Sequence, residues 1–171
     1  MNITNGDIVL RSLEFADKFN IAEYCNKKIW DNLRDFIPNP YTLYDAENFI
    51  RMSRVEDPPC TFAIEYKKEF VGIISLVVQA DVYRLNAELG YWIGEQFWGN
   101  GIISKAIPLI VNYGFEELGL NRVYAHVFDF NIPSQRVLLK SGFKMDYIAK
   151  NAVLKNGLII DEYRYSMLKA E

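Results

Sequence analysis

The chain contains 171 residues, of which 50% are hydrophobic, 15% aromatic and 24% charged, and its formal net charge at pH 7 is −3. This length and composition predict a single folded domain spanning residues 1–171 with a sizeable core, and they exclude an intrinsically disordered chain. The mildly acidic balance provides no basic surface for direct binding of nucleic acid.

Signals for one strand and two helices occupy the first third of the chain. The residue types at 8–13 predict a strand, and a helix is expected at 16–25. After a break that contains two prolines, Thr42 and Asp45 form a capping-box pattern, which predicts a helix that ends near Arg54.

Three strand signals follow, at 61–66, 70–79 and 85–93. The charged residues 67–69 between the first two runs predict a hairpin turn. Because 70–79 is apolar on both of its faces, we expect it to be a central strand that is covered on both sides.

Helix and strand signals alternate in the second half of the chain. A helix is predicted at 101–118, where Pro108 should remove one hydrogen bond and cause a mild kink. The apolar stripe of this helix consists of Ile103, Ile107, Ile110 and Gly114. The remaining strand, short helix and two final strands are predicted at 122–128, 131–140, 143–150 and 158–168. This order predicts an α+β fold, in which helices cover both faces of a mixed sheet.

The two cysteines, Cys25 and Cys60, are far apart and lack the CxxC spacing of zinc and redox motifs. Reduced thiols are therefore expected instead of a zinc site or a disulfide. Residues 1–7 lack a signal-peptide pattern, and runs such as 71–78 are too short to cross a bilayer. These features predict a cytoplasmic protein without a membrane partner.

The segment 91–101, YWIGEQFWGNG, ends a predicted strand and opens a predicted helix. Gly99 and Gly101 permit the unusual backbone dihedrals that such a loop needs. Several backbone N–H groups would then point at one place, reinforced by the helix dipole, which suits a pyrophosphate. An ordinary glycine-rich turn is the alternative, and the segment matches neither a Walker loop nor the dinucleotide GxGxxG pattern.

This loop resembles that of a known family. Gln96-x-x-Gly99-x-Gly101 is similar to the acyl-CoA-binding loop, Q/R-x-x-G-x-G/A, of the GNAT superfamily of acetyltransferases. The flanking sequences GYWI, at 90–93, and WGNG, at 98–101, resemble the RimJ/RimL-type branch, which includes ribosomal-protein N-terminal acetyltransferases.

A second motif is similar to a pattern of the same branch. It reads Asn131-x-x-Ser134-x-x-Val-Leu-x-Lys140-x-Gly142-Phe143 and follows the first after 30 residues. The order of strands, loop and helices also matches the family from about residue 62 to residue 168, which is most of the chain.

The resemblance implies a mostly antiparallel seven-strand sheet with a splay between the fourth and fifth strands, where acetyl-CoA lies as co-substrate, without a metal. Backbone groups near Tyr91–Ile93 would pair with the pantetheine amides, and the amides of 98–104 would hold the pyrophosphate. Asn131 would bond the pantetheine arm, with a simple helix N-cap as the alternative role. The cofactor-binding residues implied in this way are Tyr91, Trp92, Ile93, Gln96, Trp98, Gly99, Asn100, Gly101, Ile102, Ile103, Ser104, Asn131 and Ser134.

The resemblance also implies a role for Ser134 in donating or relaying a proton to the CoA thiolate that leaves. On the predicted helix, Ser134 shares a face with Leu138 and Ser141, and a packing role is the alternative. Tyr147 competes for the role of proton donor because many members of the family use a tyrosine, and Tyr124 is a further candidate.

Glu88 is the candidate general base. Strand alternation places it on the same face as Gly90 and Trp92, near the expected position of the acetyl group. It could take a proton directly or through water, bind the substrate cation, or solvate the end of a strand. Deprotonation at pH 7 costs roughly 4–5 kcal/mol for a lysine amine but only about 1–1.4 kcal/mol for an α-amine.

His126 is the only histidine, and we expect a structural or solvent-facing role for it in preference to that of a base. No carboxylate cluster at ligand spacing accompanies it, so a metal site is not expected. Asp161 and Glu162 lie on the last predicted strand, and the sequence does not decide which of them faces an acceptor pocket.

The aromatic residues near the first helices are typical of a core, although the resemblance implies that this region forms the acceptor wall and decides specificity. They are Trp30, Phe36, Tyr41 and Tyr44. Ile102 and Ile103 depart from the family pattern, which often has an aromatic and a small residue at these positions.

The predicted function is N-acetyl transfer by direct attack of an amine on the thioester, with an oxyanion stabilised by N–H groups near Trp92 and Ile93. Neither cysteine lies in a motif, so no covalent enzyme intermediate is expected. A protein N-terminal α-amine is the leading acceptor. The alternatives are a small amine, such as a polyamine, aminoglycoside or amino acid, and a non-catalytic acyl-CoA sensor. A homodimer would also be compatible with the family.

Overall fold

The structure, a computed structural model, describes residues 2–170. Its eight strands are β1 (Asn2–Asn5), β2 (Ile8–Arg11), β3 (Thr61–Tyr66), β4 (Glu69–Val78), β5 (Asn86–Ile93), β6 (Arg122–Phe128), β7 (Lys144–Lys155) and β8 (Leu158–Leu168). Its five α-helices are α1 (Lys18–Tyr24), α2 (Lys27–Trp30), α3 (Leu43–Ser53), α4 (Ile102–Glu116) and α5 (Ile132–Lys140). Within the described range, no helix is both long and apolar enough to cross a membrane.

The strands form one mixed sheet in the order β1-β2-β3-β4-β5-β6-β8-β7. β5 and β6 pair in parallel, whereas β1/β2, β2/β3, β3/β4, β6/β8 and β7/β8 pair antiparallel. The parallel ladder ends at the pair Glu88 and Tyr124, although β5 continues to Ile93 and β6 to Phe128. The predicted fold class is thus confirmed, and the end of the ladder agrees with the predicted splay.

Three elements differ from the expectation. β1 makes the sheet eight-stranded, and α2 follows α1 directly. β1 is polar and mostly exposed, so its composition does not predict a strand. It is a strand because it pairs with β2. β7 continues to Lys155 instead of ending at residue 150, because Asp161 accepts a hydrogen bond from the backbone N–H of Asn151 and so holds the irregular middle of the strand.

The described chain divides into two compact units. The first unit comprises the residues up to Ser75 together with Tyr91–Ile110. Its core combines side chains of α1, α3, β3 and β4 in one cluster: Leu13, Ile21, Tyr24, Ala46, Ile50, Ala63, Phe70 and Ile73. β4 is continuously buried from Phe70 to Ile74, as predicted for a strand covered on both sides.

The second unit comprises Leu76–Gly90 and the residues from Val111 onward. The alternation predicted for β6 is confirmed, since Val123, Ala125 and Val127 are buried on one face. An added Cβ at Gly114 would lie 2.8 Å from Leu76 Cδ1 and 3.1 Å from Leu120 Cδ1, so the glycine permits close packing of α4. The predicted apolar stripe of α4 is buried along its length: Ile103, Ile107, Ile110 and Gly114.

The capping box predicted at the start of α3 is present. The Thr42 side chain accepts a hydrogen bond from the Asp45 backbone N–H at 3.2 Å, and the Asp45 carboxylate accepts one from the Thr42 N–H at 2.9 Å. Each bond satisfies a backbone donor that the first turn leaves unpaired, which sets where the helix begins.

Two of the four aromatic residues expected in the core lie elsewhere. Tyr41 packs against the core of the first unit, and Trp30 is partly buried and donates to the Ile37 carbonyl. Phe36 and Tyr44 are 76% and 74% exposed, so the core assignment is wrong for them. Their positions, in the proline-rich segment and in the first turn of α3, leave both rings in solvent.

A buried ion-pair cluster joins β2 to the turn that follows it. The Arg11 guanidinium donates to both oxygens of Asp17, at 2.8 and 2.9 Å, and to Glu65 at 2.9 Å. The side chains of Arg11 and Asp17 are only 15% and 6% exposed. Because removal of Arg11 leaves the buried Asp17 carboxylate without a counter-charge, we expect Arg11→Met to lower the free energy of unfolding by about 3 kcal/mol.

Urea denaturation of the two proteins measures this difference. Arg51→Met is the matched control, because Arg51 makes an exposed i,i+4 pair with Glu47 at 2.7 Å, and the loss of an exposed pair should lower the stability far less. Equal losses in the two variants would contradict the role assigned to the buried cluster.

Candidate active site

The loop between β5 and α4 is built by short backbone contacts within the first unit. The Gly94 N–H donates to the Val71 carbonyl at 2.9 Å, and a 3-10 turn follows at Glu95–Phe97. The Trp98 N–H donates to Glu95 O at 3.1 Å. That amide is therefore occupied, and the amides that the loop can offer to a ligand start at Gly99.

Both motif glycines adopt the left-handed conformation, with φ of +78° at Gly99 and +69° at Gly101. An added Cβ at either glycine would meet nothing within 4 Å, so both border open space. The Asn100 side chain turns back and donates to the carbonyls of Phe97 and Trp98, at 3.1 and 3.3 Å. The loop is thus braced on one side and open beside its glycines.

The start of α4 supplies further donors. The backbone N–H of Lys105 donates to the Gly101 carbonyl at 3.3 Å, which is the first hydrogen bond of the helical pattern. The N–H groups of the preceding first turn have no acceptor within a helix, and the helix dipole favours an anion in front of them. Ile102 and Ile103 are buried, at 1% and 7% exposure, so these departures from the family pattern anchor the first turn in the core.

Gly72 is a site residue that the sequence reasoning missed. An added Cβ there would lie 2.1 Å from the Trp92 carbonyl oxygen and 2.7 Å from the Ile93 Cα, which are both backbone atoms. A glycine in β4 therefore sets how closely it approaches the end of β5. The sequence contains a signal for it, since a lone glycine inside an apolar strand is typical of a place where another backbone segment approaches closely.

The side chains around the end of β5 are held by the core of the first unit. The Trp92 ring packs edge-on against Phe70, with 6.5 Å between centroids. Trp98 is 47% exposed, but its indole N–H donates to the Ile93 carbonyl at 3.1 Å. Gln96 is exposed, and its side-chain oxygen lies near Gly94. Of the predicted cofactor residues from 91 to 104, Trp98 to Gly101 are exposed, whereas Ile93, Ile102 and Ile103 are buried.

In the second unit, Glu88 lies beside the histidine that the sequence reasoning placed outside the catalytic set. The His126 Nδ1 atom is 3.6 Å from Glu88 Oε1 and 3.8 Å from Glu162 Oε2. The side chains of Glu88 and His126 are 18% and 21% exposed. Two carboxylates from β5 and β8 therefore flank one imidazole nitrogen from β6.

The structure decides between the two acidic residues of β8. Asp161 accepts hydrogen bonds from Lys150, at 2.6 Å, and from the Asn151 N–H, and the Lys150 bond is the main cause that lowers the pKa of Asp161. Glu162 instead faces His126; it accepts a hydrogen bond of 2.9 Å from Arg164 Nε and forms an ion pair with Arg164 Nη2 at 2.9 Å. Asp161 is thus structural, and Glu162 belongs to the histidine cluster.

Tyr147 is connected to the same cluster through Arg164. Its hydroxyl accepts a hydrogen bond of 2.6 Å from the Arg164 guanidinium, which also lies 5.2 Å from the centre of the ring. The tyrosine is 50% exposed. Among the described residues, no group of three His, Cys, Asp or Glu side chains has the arrangement of a metal site.

Asn131 caps α5, since its side-chain oxygen accepts a hydrogen bond of 3.2 Å from the Ser134 N–H. The N-cap role considered for Asn131 is therefore present. Ser134 is half-buried, and Leu138 on the same helix face is fully buried. This arrangement holds the Ser134 backbone in a fixed position at the start of the helix.

The cysteines are free in this structure, as expected. Burial raises the pKa of the Cys25 thiol to about 11. Burial, together with the nearby Glu56 carboxylate, also raises the pKa of Cys60. Both thiols are neutral at pH 7 and are poor nucleophiles, because the thiolate is the reactive form.

Residues 7–144 match the model of the acetyltransferase (GNAT) domain, which covers most of the chain and includes the glycine loop and the Asn131 motif. The chain belongs to the GNAT acetyltransferase family. This GNAT protein is 38% identical to p20, an uncharacterized N-acetyltransferase of Bacillus licheniformis, over 170 residues, which cover 96% of this chain and 94% of p20. It is 40% identical to YoaA, an uncharacterized N-acetyltransferase of Bacillus subtilis, over 102 residues, which cover 60% of this chain but only 57% of YoaA.

Among solved structures, the GNAT chain superposes on RimL, a ribosomal L7/L12 α-N-protein acetyltransferase in complex with coenzyme A. The TM-score is 0.85 at 18% identity, and the match covers 98% of both chains. The two proteins therefore share a fold. The family model and the similarity to p20 identify the GNAT chain as an N-acetyltransferase.

Relatives with different named acceptors also match this GNAT sequence. The ribosomal-protein-serine acetyltransferase of Escherichia coli is 29% identical over 107 residues, which cover 63% of this chain and 59% of that protein. The spermidine N(1)-acetyltransferase of Escherichia coli is 27% identical over 145 residues, which cover 81% and 74%. The family thus spans protein and polyamine acceptors.

Proposed function

We propose that this GNAT N-acetyltransferase transfers an acetyl group from acetyl-CoA to the α-amine of a peptide or protein N-terminus. The observation that supports this acceptor is the net charge of the histidine cluster, which consists of Glu88, His126, Glu162 and Arg164. Around His126, Glu88 and Glu162 contribute two negative charges and Arg164 one positive charge, so these three side chains sum to −1. One negative charge suits the single ammonium of an α-amine better than a polycation such as spermidine.

Acetyl-CoA supplies an activated thioester carbonyl when it is bound. The loop fits its phosphates because Gly99 and Gly101 border open space in front of the first turn of α4. In the proposal, the amides from Gly99 to Ser104 hold the pyrophosphate with support from Gln96. The backbone of Tyr91, Trp92 and Ile93 pairs with the pantetheine arm, and Asn131 contacts the same arm. These assignments rest on the family motif together with the geometry of the loop.

The acceptor binds as an ammonium ion and must lose a proton before it attacks. Glu88 accepts that proton, because its carboxylate is partly exposed on β5 and faces a polar cluster. The N–H groups near Trp92 and Ile93 stabilise the oxyanion of the tetrahedral intermediate. Ser134 protonates the thiolate that leaves, with Tyr147 as the rival for this role.

The test is a thiol-release assay with acetyl-CoA across several acceptors. We expect turnover with peptides that have a free N-terminus, none with the same peptides after N-acetylation, and weaker turnover with spermidine and aminoglycosides. Glu88→Gln should lower kcat about 100-fold or more, which is typical of the loss of a general base. Ser134→Ala and Tyr147→Phe, compared in the same assay, identify the proton donor by the larger fall in kcat.

The matched control for Glu88→Gln is Glu117→Gln, an exposed glutamate beyond the end of α4, which should retain wild-type kcat. The double variant Cys25→Ala/Cys60→Ala should also retain turnover, because direct transfer needs no thiol. Equal turnover of free and blocked peptides, or a preference for spermidine, would contradict the proposed acceptor.

A further inference from the structure

The cluster around His126 brings together groups that no sequence motif connects. Its residues come from three strands: Glu88 on β5, His126 on β6, and Glu162 with Arg164 on β8. In the sheet, His126 lies directly opposite Arg164, and Glu88 lies opposite Tyr124. The pairing of the strands therefore places the imidazole between two carboxylates.

The His126 imidazole lies between two carboxylates, those of Glu88 and Glu162. The His126 Nδ1 atom is 3.6 Å from Glu88 and 3.8 Å from Glu162, which is ion-pair range but longer than a hydrogen bond. Both carboxylates favour the protonated imidazole through their charge.

Glu162 is held by Arg164. It is 8% exposed, it accepts a hydrogen bond of 2.9 Å from Arg164 Nε, and it forms an ion pair with Arg164 Nη2 at 2.9 Å, while Arg164 Nη1 donates to the Tyr147 hydroxyl. Glu162 therefore has little freedom to move. The Tyr124 ring also lies beside the imidazole, with 5.2 Å between the two ring centroids.

We propose that His126 takes up the proton that Glu88 removes from the acceptor, and that Glu162 and Arg164 position the imidazole for this step. The inference rests on the proposed acetyl transfer and adds a positioning cluster to it. The histidine side chain is 21% exposed, so the proton can leave to water after each turnover.

The proton balance of the step is complete. The ammonium gives one proton to the Glu88 carboxylate, and that proton moves to His126 Nδ1. The amine nitrogen forms a C–N bond to the acetyl carbon, the C–S bond breaks, and the thiolate takes up the second proton of the nitrogen through Ser134. One proton per turnover then passes from the imidazole to solvent.

The chemistry of the groups favours this transfer. A carboxylate has an ordinary pKa near 4.3, an imidazole near 6.5 and an α-ammonium about 7.7–8.0. The pKa of imidazole is therefore closer to that of the α-ammonium, so imidazole holds the proton better while the amine attacks. A carboxylate alone would return the proton to the amine readily. His126 receives the proton through Glu88, so it is a positioning residue and not one that contacts substrate.

Two measurements test the proposal. Because the chain has a single histidine, the titration of its imidazole can be followed by NMR without ambiguity. We expect Glu162→Gln and Glu88→Gln each to move the titration midpoint to lower pH by about 0.5 units or more, since each removes a stabilising charge. Glu116→Gln, on the far end of α4, is the control and should leave the midpoint unchanged.

The second measurement is the pH profile of kcat at saturating acceptor. His126→Gln should lower kcat about tenfold or more and remove the acidic limb of the profile, while CoA affinity in a calorimetric titration stays at the wild-type value. Glu162→Gln should retain the limb but move it to lower pH. A loss of stability alone would not shift the limb.

The outcomes separate this inference from the proposed function. An imidazole midpoint that is unmoved in both carboxylate variants, or a His126→Gln profile with the wild-type acidic limb, overturns the role of His126 even if peptides are acetylated. Absence of turnover by the wild-type enzyme with every amine, although CoA binds, contradicts the proposed acetyl transfer and with it the proton step.

Discussion

Gly101→Ala is expected to weaken coenzyme A binding at least tenfold while the protein stays folded. Gly101 has φ of +69° and lies directly before the first turn of α4. Alanine in this conformation is strained by about 1–2 kcal/mol. Because a shift to negative φ relieves that strain, the N–H groups of the next residues would turn away from the point where they converge. The single side chain of Gln96 could not replace several converging backbone donors at this phosphate site.

Calorimetric titration with coenzyme A measures this effect, and thermal unfolding monitors the fold. Gly119→Ala is the matched control, since Gly119 also has a positive φ, of +64°, and an added Cβ there would meet nothing within 4 Å. Both variants should lose similar stability, but Gly119→Ala should bind coenzyme A like the wild type. Equal affinities in the two variants would contradict the assignment of the loop as the phosphate site.

Gly72→Ala should be the most destabilising of the substitutions considered, with a loss of about 3 kcal/mol or more in the free energy of unfolding. The new methyl group would lie 2.1 Å from the Trp92 carbonyl oxygen and 2.7 Å from the Ile93 Cα. Since both are backbone atoms of β5, relief requires that one strand moves. The same movement would displace the backbone that is proposed to pair with pantetheine, so coenzyme A affinity should also fall.

Denaturant unfolding quantifies the loss, and Gly114→Ala provides the comparison. Gly114 is as buried as Gly72, but its nearest neighbours are the terminal methyl groups of Leu76 and Leu120, which can move. Alanine is also favoured over glycine within a helix by about 0.8–1.0 kcal/mol, which offsets part of the crowding. A loss at Gly72 no larger than that at Gly114 would show that the close approach of the two strands is not required.

Most elements could be predicted because their signals are local. The capping box of Thr42 and Asp45 needs only residues three apart, and the buried stripe of α4 repeats with the period of the helix itself. The glycine loop was predictable for the same reason, since its function depends on backbone dihedrals that glycine permits.

Features that depend on pairing with distant residues could not be predicted. β1 is ordered by its ladder with β2, and β7 passes residue 150 because Asp161, on the next strand, binds Asn151. The exposure of Phe36 likewise depends on how the surrounding segment folds, because aromatic composition alone does not distinguish a core position from a surface position.

The sequence by itself determined the family, the order of the elements and the glycine loop, because adjacent residues specify each of these. Only the tertiary structure decided that Gly72 lies against Trp92 and that His126 lies between Glu88 and Glu162. The physical reason is strand pairing: β6 pairs with β5 on one side and with β8 on the other, which brings Glu88 and Glu162, 74 positions apart in the sequence, to the same histidine. No pattern of neighbouring residues encodes such a register, because it results from the packing of the whole sheet.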